Sequence, residues 1–556
     1  MIDKPPRFGS KRFREIVVPA FRGDPATALR GLYFMATRRS IRGWSRLMLA
    51  ASRAPLNYAR WTRHGEVRAF AEFRGVHPRS QDAAPIVVLV LDENFADDVV
   101  DATVKSIRAA LDDPLVYSVA GHGRGLQPLP RSDSLLRALI ALAELHGTAW
   151  LLPVRAGDRV SGELGDVLAR SLGTGDETLV YWDEDHLQGD RRCDPWVKPG
   201  WDPLLFGALE GLLGASVLSL AAVKSLSGHL PDVPIDRPAL ERLLFDIAAI
   251  EPPKHIPLIL THRADALGAK QVAAQMPPAP PSWPSVSIIV PTRDKPQLLA
   301  ACINGIQRID YPGSIQTIVV DNGSRDPAAL ELLESVEKSP RSLVLRDEGT
   351  FNFSRLNNLA ARDAEGEVLC LLNNDVEPFD NNWLTTLVRY VARQGVGAVG
   401  AQLVYPSGRI QHAGVAVGLG GAAGHIQKGV EPSVRSFWTW HAVTRETSAL
   451  TAAVLLVKKS VFEEAGGFDE AFAVAFNDVD FCLRLKQRGL RNIYVADVRL
   501  VHRESESRGQ DRSAAQARRF ADELARLQAR WGTERYSDPH FSPLFSRLVE
   551  RCILAP

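Results

Sequence analysis

The segment SVSIIVPTRD, residues 285–294, decides the fold of the C-terminal half of the chain. It is an apolar run that ends in polar residues, and helix-like and strand-like segments alternate after it. The pattern predicts helices at 295–307, 327–337 and 354–363, and strands at 317–321, 343–347 and 368–375. Such alternation predicts an open, mostly parallel sheet with helices on both faces.

Three of these strands end in polar residues, at Thr292 to Asp294, Asp321 to Asn322, and Asn373 to Asp375. Because ligands of open α/β sheets bind at the carboxyl ends of the strands, we expect these residues around one crevice. Asn373 and Asp375 stand two positions apart and carry oxygen atoms suited to Mg²⁺ or Mn²⁺ beside a diphosphate. A turn rich in Asn and Asp is the alternative.

Two later segments hold further side chains that can carry chemistry. Asp478 and Asp480 begin a helix-like segment and face different sides of a helix, so they are not a matched pair. One is expected to cap the helix or pair with an arginine, and the other to face the crevice as a general base. An acidic helix start favoured by the helix dipole is the alternative. His502 follows an apolar strand, where a structural role is the alternative to a catalytic one.

Residues 85–263 also alternate between strand-like and helix-like segments, which predicts a second open sheet. The two halves resemble each other, since LLGASVLSLAAVKSLSG (212–228) is similar to SALTAAVLLVKKSVFEEAGG (448–467). Between them, MPPAPPSWP (276–284) holds five prolines, which is typical of a stiff linker. We predict four regions, namely 1–80, 85–263, a linker at 264–284, and 285–556.

The net charge of +1 over 556 residues hides a basic head on a mildly acidic body. Residues 1–70 hold 15 Lys and Arg against 4 Asp and Glu. The apolar spacing over 29–50 predicts one amphipathic helix, either lying on an anionic membrane surface or packed on the next domain with its basic face in solvent. The acidic body argues against a nucleic-acid partner.

The five scattered cysteines show no metal-type spacing, which argues against a disulfide scaffold or a structural zinc site and favours a reducing compartment. The first residues lack the apolar core of a secretory signal. The apolar run 205–223 contains Glu210 and three glycines, so a buried helix followed by a buried strand is favoured over a membrane span. We expect a cytoplasmic protein, with peripheral contact at the cytoplasmic face of the inner membrane through residues 1–70 as an open alternative.

Several motifs, taken in order, resemble glycosyltransferase family 2, and the likeness is greatest to its bacterial, rhamnosyltransferase-like, polysaccharide-building members. They are IIVPTRD, VVDNGS, FNFSRLNNLAA, LLNNDVEP, RIQHAGV, GGFDE, FNDVDFCLR and VHRESESRG. The resemblance covers about residues 285–545 and implies the GT-A fold. With the repeat, it implies an α/β protein of two tandem GT-A-like sheets behind a helical basic head.

The resemblance also implies roles for individual residues. The nucleotide-sugar pocket would be formed by Pro291, Thr292, Asp294, Asp321, Asn322, Asn357, Asn358 and Asn374. The metal ligands would be Asn373, Asp375 and His502, with Asn373 standing where the family has a carboxylate. Asp478 would be the catalytic base, with Asn477 in place of the family's Glu. The acceptor side would include His412, His425 and Asp480.

These roles imply a transferase that moves a sugar from a nucleoside-diphosphate sugar to a saccharide or lipid-linked saccharide, with Mg²⁺ or Mn²⁺ and inversion at the anomeric carbon. The alternative is a non-catalytic scaffold that binds nucleotide sugars. A dehydrogenase is discounted because GLGGAA (418–423) has no acidic residue about 20 positions on.

The unit at 85–263 is expected to be catalytically silent. In place of LLNNDV it has AWLLPVRAGDRV (149–160), where Pro153 and Arg155 would obstruct a cation. WDEDH (182–186) is a possible substitute metal motif, but its distance from His262 favours a different loop.

Overall fold

The structure is a computed structural model. It describes residues 10–55, 57–80, 84–120, 125–172, 177–209, 211–264, 276–433, 440–503 and 513–555. Parts of the predicted head, of the linker and of VHRESESRG lie outside the described residues, as does Glu210. No helix in the described ranges is long and apolar enough to cross a membrane.

The head consists of four helices, α1 Lys11–Gly23, α2 Pro25–Ala36, α3 Ser40–Ser52 and α4 Asn57–Val76. The single helix predicted over 29–50 is wrong, because the chain leaves the helical conformation between α2 and α3, where Arg38 has a φ of 59°. Asp24 caps α2 by accepting from Thr27 N, and Pro25 occupies the first turn, where its missing N–H costs nothing.

The N-terminal unit is a nine-stranded sheet flanked by helices. Its strands are β1 Ile86–Leu91, β2 Leu115–Ser118, β3 Gln127–Pro128, β4 Trp150–Arg155, β5 Arg159–Val160, β6 Leu179–Gln188, β7 Arg191–Trp196, β8 Ser216–Ser219 and β9 Lys254–Arg263. Its helices are α5 Asp97–Ala110, α6 Leu135–His146, α7 Leu164–Ser171, α8 Pro203–Ala208, α9 Leu220–Leu226 and α10 Arg237–Ile250. The apolar run 205–223 thus forms a helix end, a buried strand and the start of a second helix.

The C-terminal unit holds a ten-stranded sheet. Its strands are β10 Val286–Thr292, β11 Ile315–Asp321, β12 Ser342–Arg346, β13 Val368–Leu372, β14 Val376–Pro378, β15 Val396–Val404, β16 Ile410–His412, β17 Val415–Val417, β18 Ala423–His425, β19 Arg445–Thr447, β20 Val454–Lys458 and β21 Arg491–His502, of which β17 and β18 form a separate ribbon. Its helices are α11 Pro296–Gln307, α12 Pro327–Glu337, α13 Phe353–Asp363, α14 Trp383–Val391, α15 Lys459–Glu464, α16 Asn477–Gln487 and α17 Ala514–Trp531.

The two large sheets have the same strand order. Along one edge-to-edge path it is β3-β2-β1-β4-β8-β6-β9-β5, and along the other it is β12-β11-β10-β13-β20-β15-β21-β14. In the second path, β20 and β14 run antiparallel to their neighbours, and the other strands of the path run in one direction. The predicted fold class, two tandem open α/β sheets behind a helical head, is confirmed.

The tail, residues 532–555, packs against both the head and the two units. Val549 joins Phe13, Trp44 and Leu47 in the core of the head. The tail's Phe541 and Phe545 lie in one apolar cluster with residues of all the other parts. Trp61 Nε1 on α4 donates to the Ala555 carbonyl at 2.9 Å. The tail therefore joins the head to the rest of the molecule.

Candidate active site

The carboxyl ends of β10 and β13 open into a cavity of about 380 Å³, which we call the donor cavity. Its lining consists of Pro291, Thr292, Arg293, Asp294, Lys295, Phe351, Phe353, Asn373, Asn374, Gln516 and Arg519. Asn374 Nδ2 donates to Thr292 Oγ1 at 2.9 Å, which ties the two strand ends together. Five residues predicted for the site therefore lie in one concave surface.

Asp294 organises the loop at the rim of the donor cavity. Its Oδ1 accepts from the backbone N–H groups of Arg325 at 2.7 Å and Asp326 at 2.9 Å. These two hydrogen bonds stabilise the charged form and lower the pKa of Asp294. Asp294 and Lys295 both have positive φ, 51° and 54°, so the carboxylate holds a turn that the backbone alone disfavours.

Asp321 and Asn322 are buried beside the donor cavity rather than in its lining. Asp321 Oδ1 accepts from Ser324 N at 3.0 Å, and Asn322 Nδ2 donates to two backbone carbonyls. Within the described structure, Asp321 Oδ2 and Asn322 Oδ1 have no hydrogen-bond partner. Arg346 Nη1 lies 3.8 Å from Asp321 Oδ2, too far for a hydrogen bond. Two buried acceptors without a hydrogen bond are the feature expected where a ligand N–H completes the set.

The two asparagines predicted on α13 are engaged within the protein. Asn357 is fully buried and donates to the Phe353 carbonyl at 2.8 Å. Asn358 Nδ2 donates to the Phe468 carbonyl, and its Oδ1 accepts from Phe468 N, both at 2.9 Å. Neither residue lines the donor cavity, so the structure gives Asn358 the role of holding the 468–470 loop instead of the predicted sugar contact.

The three predicted metal ligands converge at the edge of this cavity. His502 Nε2 lies 3.1 Å from Asp375 Oδ1 and 3.4 Å from Asn373 Nδ2. Adjacent ligand atoms of an octahedral ion with bonds of 2.0–2.1 Å are about 3 Å apart. These separations fit a hard divalent cation between the three side chains, with the Asn373 amide turned to present its oxygen.

Gln411 on β16 fixes the orientation of His502. Its Oε1 is 2.6 Å from His502 Nδ1. An Nδ1–H donated to this oxygen leaves the Nε2 lone pair directed at Asp375, which is the tautomer a metal ligand needs. The sequence analysis missed Gln411, because the contact joins residues 91 positions apart, although RIQHAGV had been singled out as a motif.

Asp478, in the first turn of α16, is partly buried and contacts the backbone beside the metal ligands. Its Oδ2 accepts from Ala452 N at 3.1 Å and its Oδ1 from Val479 N at 2.8 Å. The carbonyl of Ala453 accepts from Asn373 N at 3.0 Å, so the two residues Ala452 and Ala453 connect Asp478 to Asn373. Burial raises the pKa of Asp478, and the backbone hydrogen bonds oppose that rise. A carboxylate with a raised pKa suits a general base.

Asp480 has a structural role instead of the predicted acceptor-side role. It is fully buried, and its Oδ2 accepts from Arg484 Nε at 2.9 Å. Its Oδ1 accepts from Arg530 Nη1 at 2.8 Å and from Trp531 Nε1 at 2.9 Å. These donors connect α16 to the end of α17. Asp480 is therefore the aspartate that pairs with arginine, as the sequence predicted for one of Asp478 and Asp480.

His412 and His425 contact each other. Their Nδ1 atoms are 2.8 Å apart, so one ring donates and the other accepts. Burial, together with the nearby His425, holds the pKa of His412 well below its ordinary value. The pair connects β16 to β18, and His412 is too deeply buried to meet an acceptor directly.

The matching site of the N-terminal unit contains protein cations. Since Arg159 pairs with His262 as Val376 pairs with His502, Asp158 corresponds to Asp375. Arg263 Nη1 lies 3.9 Å from Asp158 Oδ2, and Arg263 Nη2 donates to Glu184 at 2.8 Å. The fully buried Lys198 donates to the same carboxylate at 3.1 Å.

The guanidinium of Arg155 lies over the Phe95 ring, and its charge also opposes the rise in the pKa of Asp158, so the obstruction of a cation by Arg155 stays a prediction. One detail of the prediction for this unit is wrong. WDEDH is not a separate loop but part of β6, which pairs with β9 and brings Asp185 Oδ1 within 2.6 Å of His262 Nδ1. Tyr58 of the head and Arg192 also bond Asp185, so this histidine is held inside an internal network.

The donor cavity includes residues that the sequence did not mark. Phe351 and Phe353 stand in the FNFSRLNN motif without having been assigned a role. Gln516 and Arg519 come from α17, far along the chain, and nothing in their local sequence distinguishes them from a solvated helix face. Arg293 and Lys295 flank Asp294 and give the cavity a positive rim suited to phosphate oxygens.

Residues 287–443 match the family model described as Glycosyl transferase family 2. The predicted resemblance to glycosyltransferase family 2 is therefore confirmed over these residues. The matched segment includes the donor cavity's strand ends, Asn373 and Asp375, and it includes Gln411.

Two curated relatives are similar over most of the chain. The O-antigen biosynthesis protein RfbC of Myxococcus xanthus is 34% identical over 393 residues, 63% of this chain and 30% of that protein. The uncharacterized protein y4gI of Sinorhizobium fredii is 33% identical over 411 residues, 66% of this chain and 45% of that protein. The chain thus spans less than half the length of both relatives.

Among solved structures, mannosyltransferase PcManGT from Pyrobaculum calidifontis, in complex with GDP-Man and Mn²⁺, aligns with a TM-score of 0.36 at 23% identity. The alignment covers 48% of this chain and 69% of that one.

Proposed function

We propose that the chain transfers a sugar from a nucleoside-diphosphate sugar to a saccharide or lipid-linked saccharide in the assembly of a bacterial surface polysaccharide. The observation that carries the proposal is the convergence of Asn373, Asp375 and His502 at the edge of the donor cavity, with Asp478 connected to Asn373 through two backbone residues. The name of the similar O-antigen biosynthesis protein supports the polysaccharide part.

The chemistry assigned to the site is a single displacement at the anomeric carbon. The acceptor hydroxyl loses its proton to Asp478 while its oxygen bonds to the anomeric carbon, and the bond from that carbon to the diphosphate oxygen breaks. The oxocarbenium character of the transition state requires the two oxygens on opposite faces, so the configuration inverts. Arg293 and Lys295 at the rim face the diphosphate in this arrangement.

A divalent cation fits the site through Asn373, Asp375 and His502, held in place by Gln411. When bound, it neutralises charge that develops on the departing diphosphate. Either Mg²⁺ or Mn²⁺ suits a set of one carboxylate, one amide and one imidazole.

We propose that the N-terminal unit is catalytically silent. Its Asp158 faces Arg263 instead of an open space, and Lys198 bonds the neighbouring Glu184. Burial raises the pKa of Asp158, which disfavours the charged ligand form. Tyr58 from the head further encloses its histidine site. The N-terminal unit instead supports the head and the C-terminal unit.

The function is tested by incubating the protein with a panel of nucleotide sugars, acceptor saccharides and Mn²⁺ or Mg²⁺ while nucleoside diphosphate release is measured. We expect release with one donor, inversion in the isolated product, and one nucleotide bound per chain by calorimetry. Nucleotide-sugar binding with no turnover on any acceptor would favour the scaffold alternative. A stoichiometry of two would contradict a silent N-terminal unit.

Asn373→Asp should tighten Mn²⁺ binding by about tenfold, since a second carboxylate adds charge to the ligand set. The measurement is a Mn²⁺ titration followed by electron paramagnetic resonance, which needs no turnover. Asn374→Asp is the matched control, because Asn374 bonds Thr292 and is outside the proposed ligand set. An equal gain in both variants would show that bulk charge, not coordination, is responsible.

The head is proposed to contact anionic membrane. Leu29, Tyr33 and Ile41 are each more than half exposed on helices rich in arginine. Replacing all three by serine should reduce recovery with phosphatidylglycerol vesicles in flotation by about tenfold or more, because each buried apolar side chain contributes about 1.5–3 kcal/mol. The control replaces Leu145 and Ile250, exposed on the N-terminal unit, and should float like wild type. Equal recovery of all three proteins would contradict the proposal.

A further inference from the structure

A second large cavity lies where the head, both units and the tail meet, and we call it the arginine cleft. Its volume is about 570 Å³. Every part of the chain contributes to its walls, including Asn57, Arg191, Arg192, Gln427, His441 and Arg551. Neither the donor cavity nor the proposed catalytic residues form part of it, so it has no role in the chemistry described above.

Two guanidinium groups meet at one backbone oxygen beside this cleft. Arg409 Nη1 donates to the Gly429 carbonyl at 3.1 Å, and Arg551 Nη2 donates to the same oxygen at 3.0 Å. Arg409 forms an ion pair with Glu431 at 2.7 Å. Within the described part of the chain, no carboxylate lies within 4.0 Å of Arg551. Glu431 thus neutralises Arg409, and among the described residues Arg551 is the guanidinium of the two that has no carboxylate partner.

The positive charge extends beyond this pair. Burial lowers the pKa of Arg551, and the neighbouring Arg53, Arg409 and Arg46 lower it further, which shows that their charges repel across the site. On the opposite wall Arg191 bonds the Gln188 side chain. Asp24 neutralises Arg53, and Glu66 and Asp185 neutralise Arg192. Among the described residues, no carboxylate lies within 4.0 Å of Arg191 or Arg551, so these two guanidinium groups line the cleft together with Asp194.

The cleft is connected to the catalytic centre by two short strands. Arg409 stands two residues from Gln411, which orients His502. Gln427 stands two residues from His425, the partner of His412. Gln427 has a φ of 60°, a conformation that costs a non-glycine residue free energy and is kept where the surroundings require it. Contacts in the cleft can therefore position a molecule that reaches the acceptor side.

We propose that the arginine cleft binds a phosphate or diphosphate group carried by a lipid and that it holds the diphosphate of a lipid-linked acceptor during transfer; this second part rests on the proposed function. Guanidinium groups match phosphate oxygens with paired, charge-assisted hydrogen bonds. The cleft borders Ser52 at the end of α3 and Asn57 at the start of α4, and so belongs to the same head that carries the exposed Leu29, Tyr33 and Ile41.

Binding is measured by calorimetry in EDTA, which removes metal from the donor cavity, with sodium pyrophosphate, farnesyl diphosphate and phosphatidylglycerol vesicles as separate probes. Arg551→Gln should weaken the binding of both diphosphates by about tenfold or more, since a hydrogen bond to a charged group contributes about 1.5–3 kcal/mol. Arg308→Gln, an exposed arginine on the C-terminal unit, is the matched control and should bind like wild type. Arg519→Gln changes the donor cavity and not the cleft, so it should leave the Arg551-dependent binding of the diphosphates unchanged.

The outcomes separate the two parts of the proposal. Binding of diphosphates that Arg551→Gln and Arg409→Gln both weaken supports the cleft, whatever the result of the turnover assay. If only the binding of phosphatidylglycerol vesicles depends on Arg551, the phosphate site is supported. The ligand is then a bilayer lipid, and the assignment to the acceptor's diphosphate is overturned. Unchanged binding in both variants overturns the proposal. Arg551→Lys keeps the positive charge but loses the paired donors of the guanidinium. If this variant is as stable as wild type and binds diphosphate more weakly, misfolding is excluded and the paired hydrogen bonds are supported.

Discussion

Asp478→Asn should lower kcat by about 10²- to 10⁴-fold, the range typical for removing a general base. The amide cannot take the proton of the acceptor hydroxyl, whereas the donor cavity and the three metal ligands stay intact. The measurement is nucleoside diphosphate release at saturating donor and acceptor, with nucleotide-sugar affinity determined separately by calorimetry. A loss of turnover accompanied by unchanged donor affinity is the expected pattern.

The pH dependence gives a second view of the same residue. Because burial raises the pKa of Asp478, the wild-type rate should fall on the acid side at a pH above the ordinary range of an aspartate. The sign follows from the role, since only the deprotonated carboxylate accepts a proton. Turnover by Asp478→Asn at the wild-type rate, with the same acid limb, would contradict the assignment.

The raised pKa also sets the effect of Asp478 on stability. A carboxyl whose folded-state pKa exceeds its unfolded-state pKa favours the folded state below both values and loses that contribution as the pH rises through them. The site therefore costs stability at neutral pH. This cost is consistent with a carboxylate retained for its chemistry, although the variant also loses one acceptor for the N–H groups of Ala452 and Val479.

Asp480→Ala should lower the free energy of unfolding by about 3–5 kcal/mol, the usual result of removing one member of a buried ion pair. The change leaves Arg484 without its carboxylate and removes the acceptor of Arg530 and Trp531, so α16 and α17 lose their shared anchor. The measurement is denaturant unfolding followed by tryptophan fluorescence, with Trp531 as a local reporter.

A matched control is available at Asp469, which also bonds Arg530 but is partly exposed. Asp469→Ala should cost about 0–1 kcal/mol, as exposed ion pairs do. Similar losses in the two variants would contradict the assignment of Asp480 as the buried anchor. The fraction of Asp480→Ala that remains folded should still turn over, in contrast to Asp478→Asn.

The sequence predicted the strand ends well because apolar strands of a parallel sheet stop where polar residues begin. Thr292, Asn373 and Asn374 could therefore be placed in one crevice before any coordinates were known. Spacing alone could not distinguish Asp478 from Asp480, since both stand in the first turn of α16, and only the family resemblance assigned the base to Asp478. The contacts of Asp480 with Arg484 on its own helix and with Arg530 and Trp531 on α17 show that its carboxylate is already bonded.

Contacts between distant segments account for the remaining differences. Gln411 and Arg519 have ordinary local sequences, and their positions depend on packing across the sheet. Asp185 reaches His262 because β6 and β9 are neighbours, a pairing that residue spacing does not encode. In the head, α2 and α3 share one apolar periodicity, but the close approach of Gly31 and Gly43 lets the chain fold back on itself.

The packing of the tail into the head has a consequence for the order of events during synthesis. The apolar face formed by Phe13, Trp44 and Leu47 is completed only by Val549, which the ribosome adds some hundreds of residues later. At about 5–20 residues per second, the head waits roughly 25–100 s for its cover. During that interval the apolar surface of the head lacks this cover, so a chaperone can bind it before the C-terminal unit is complete.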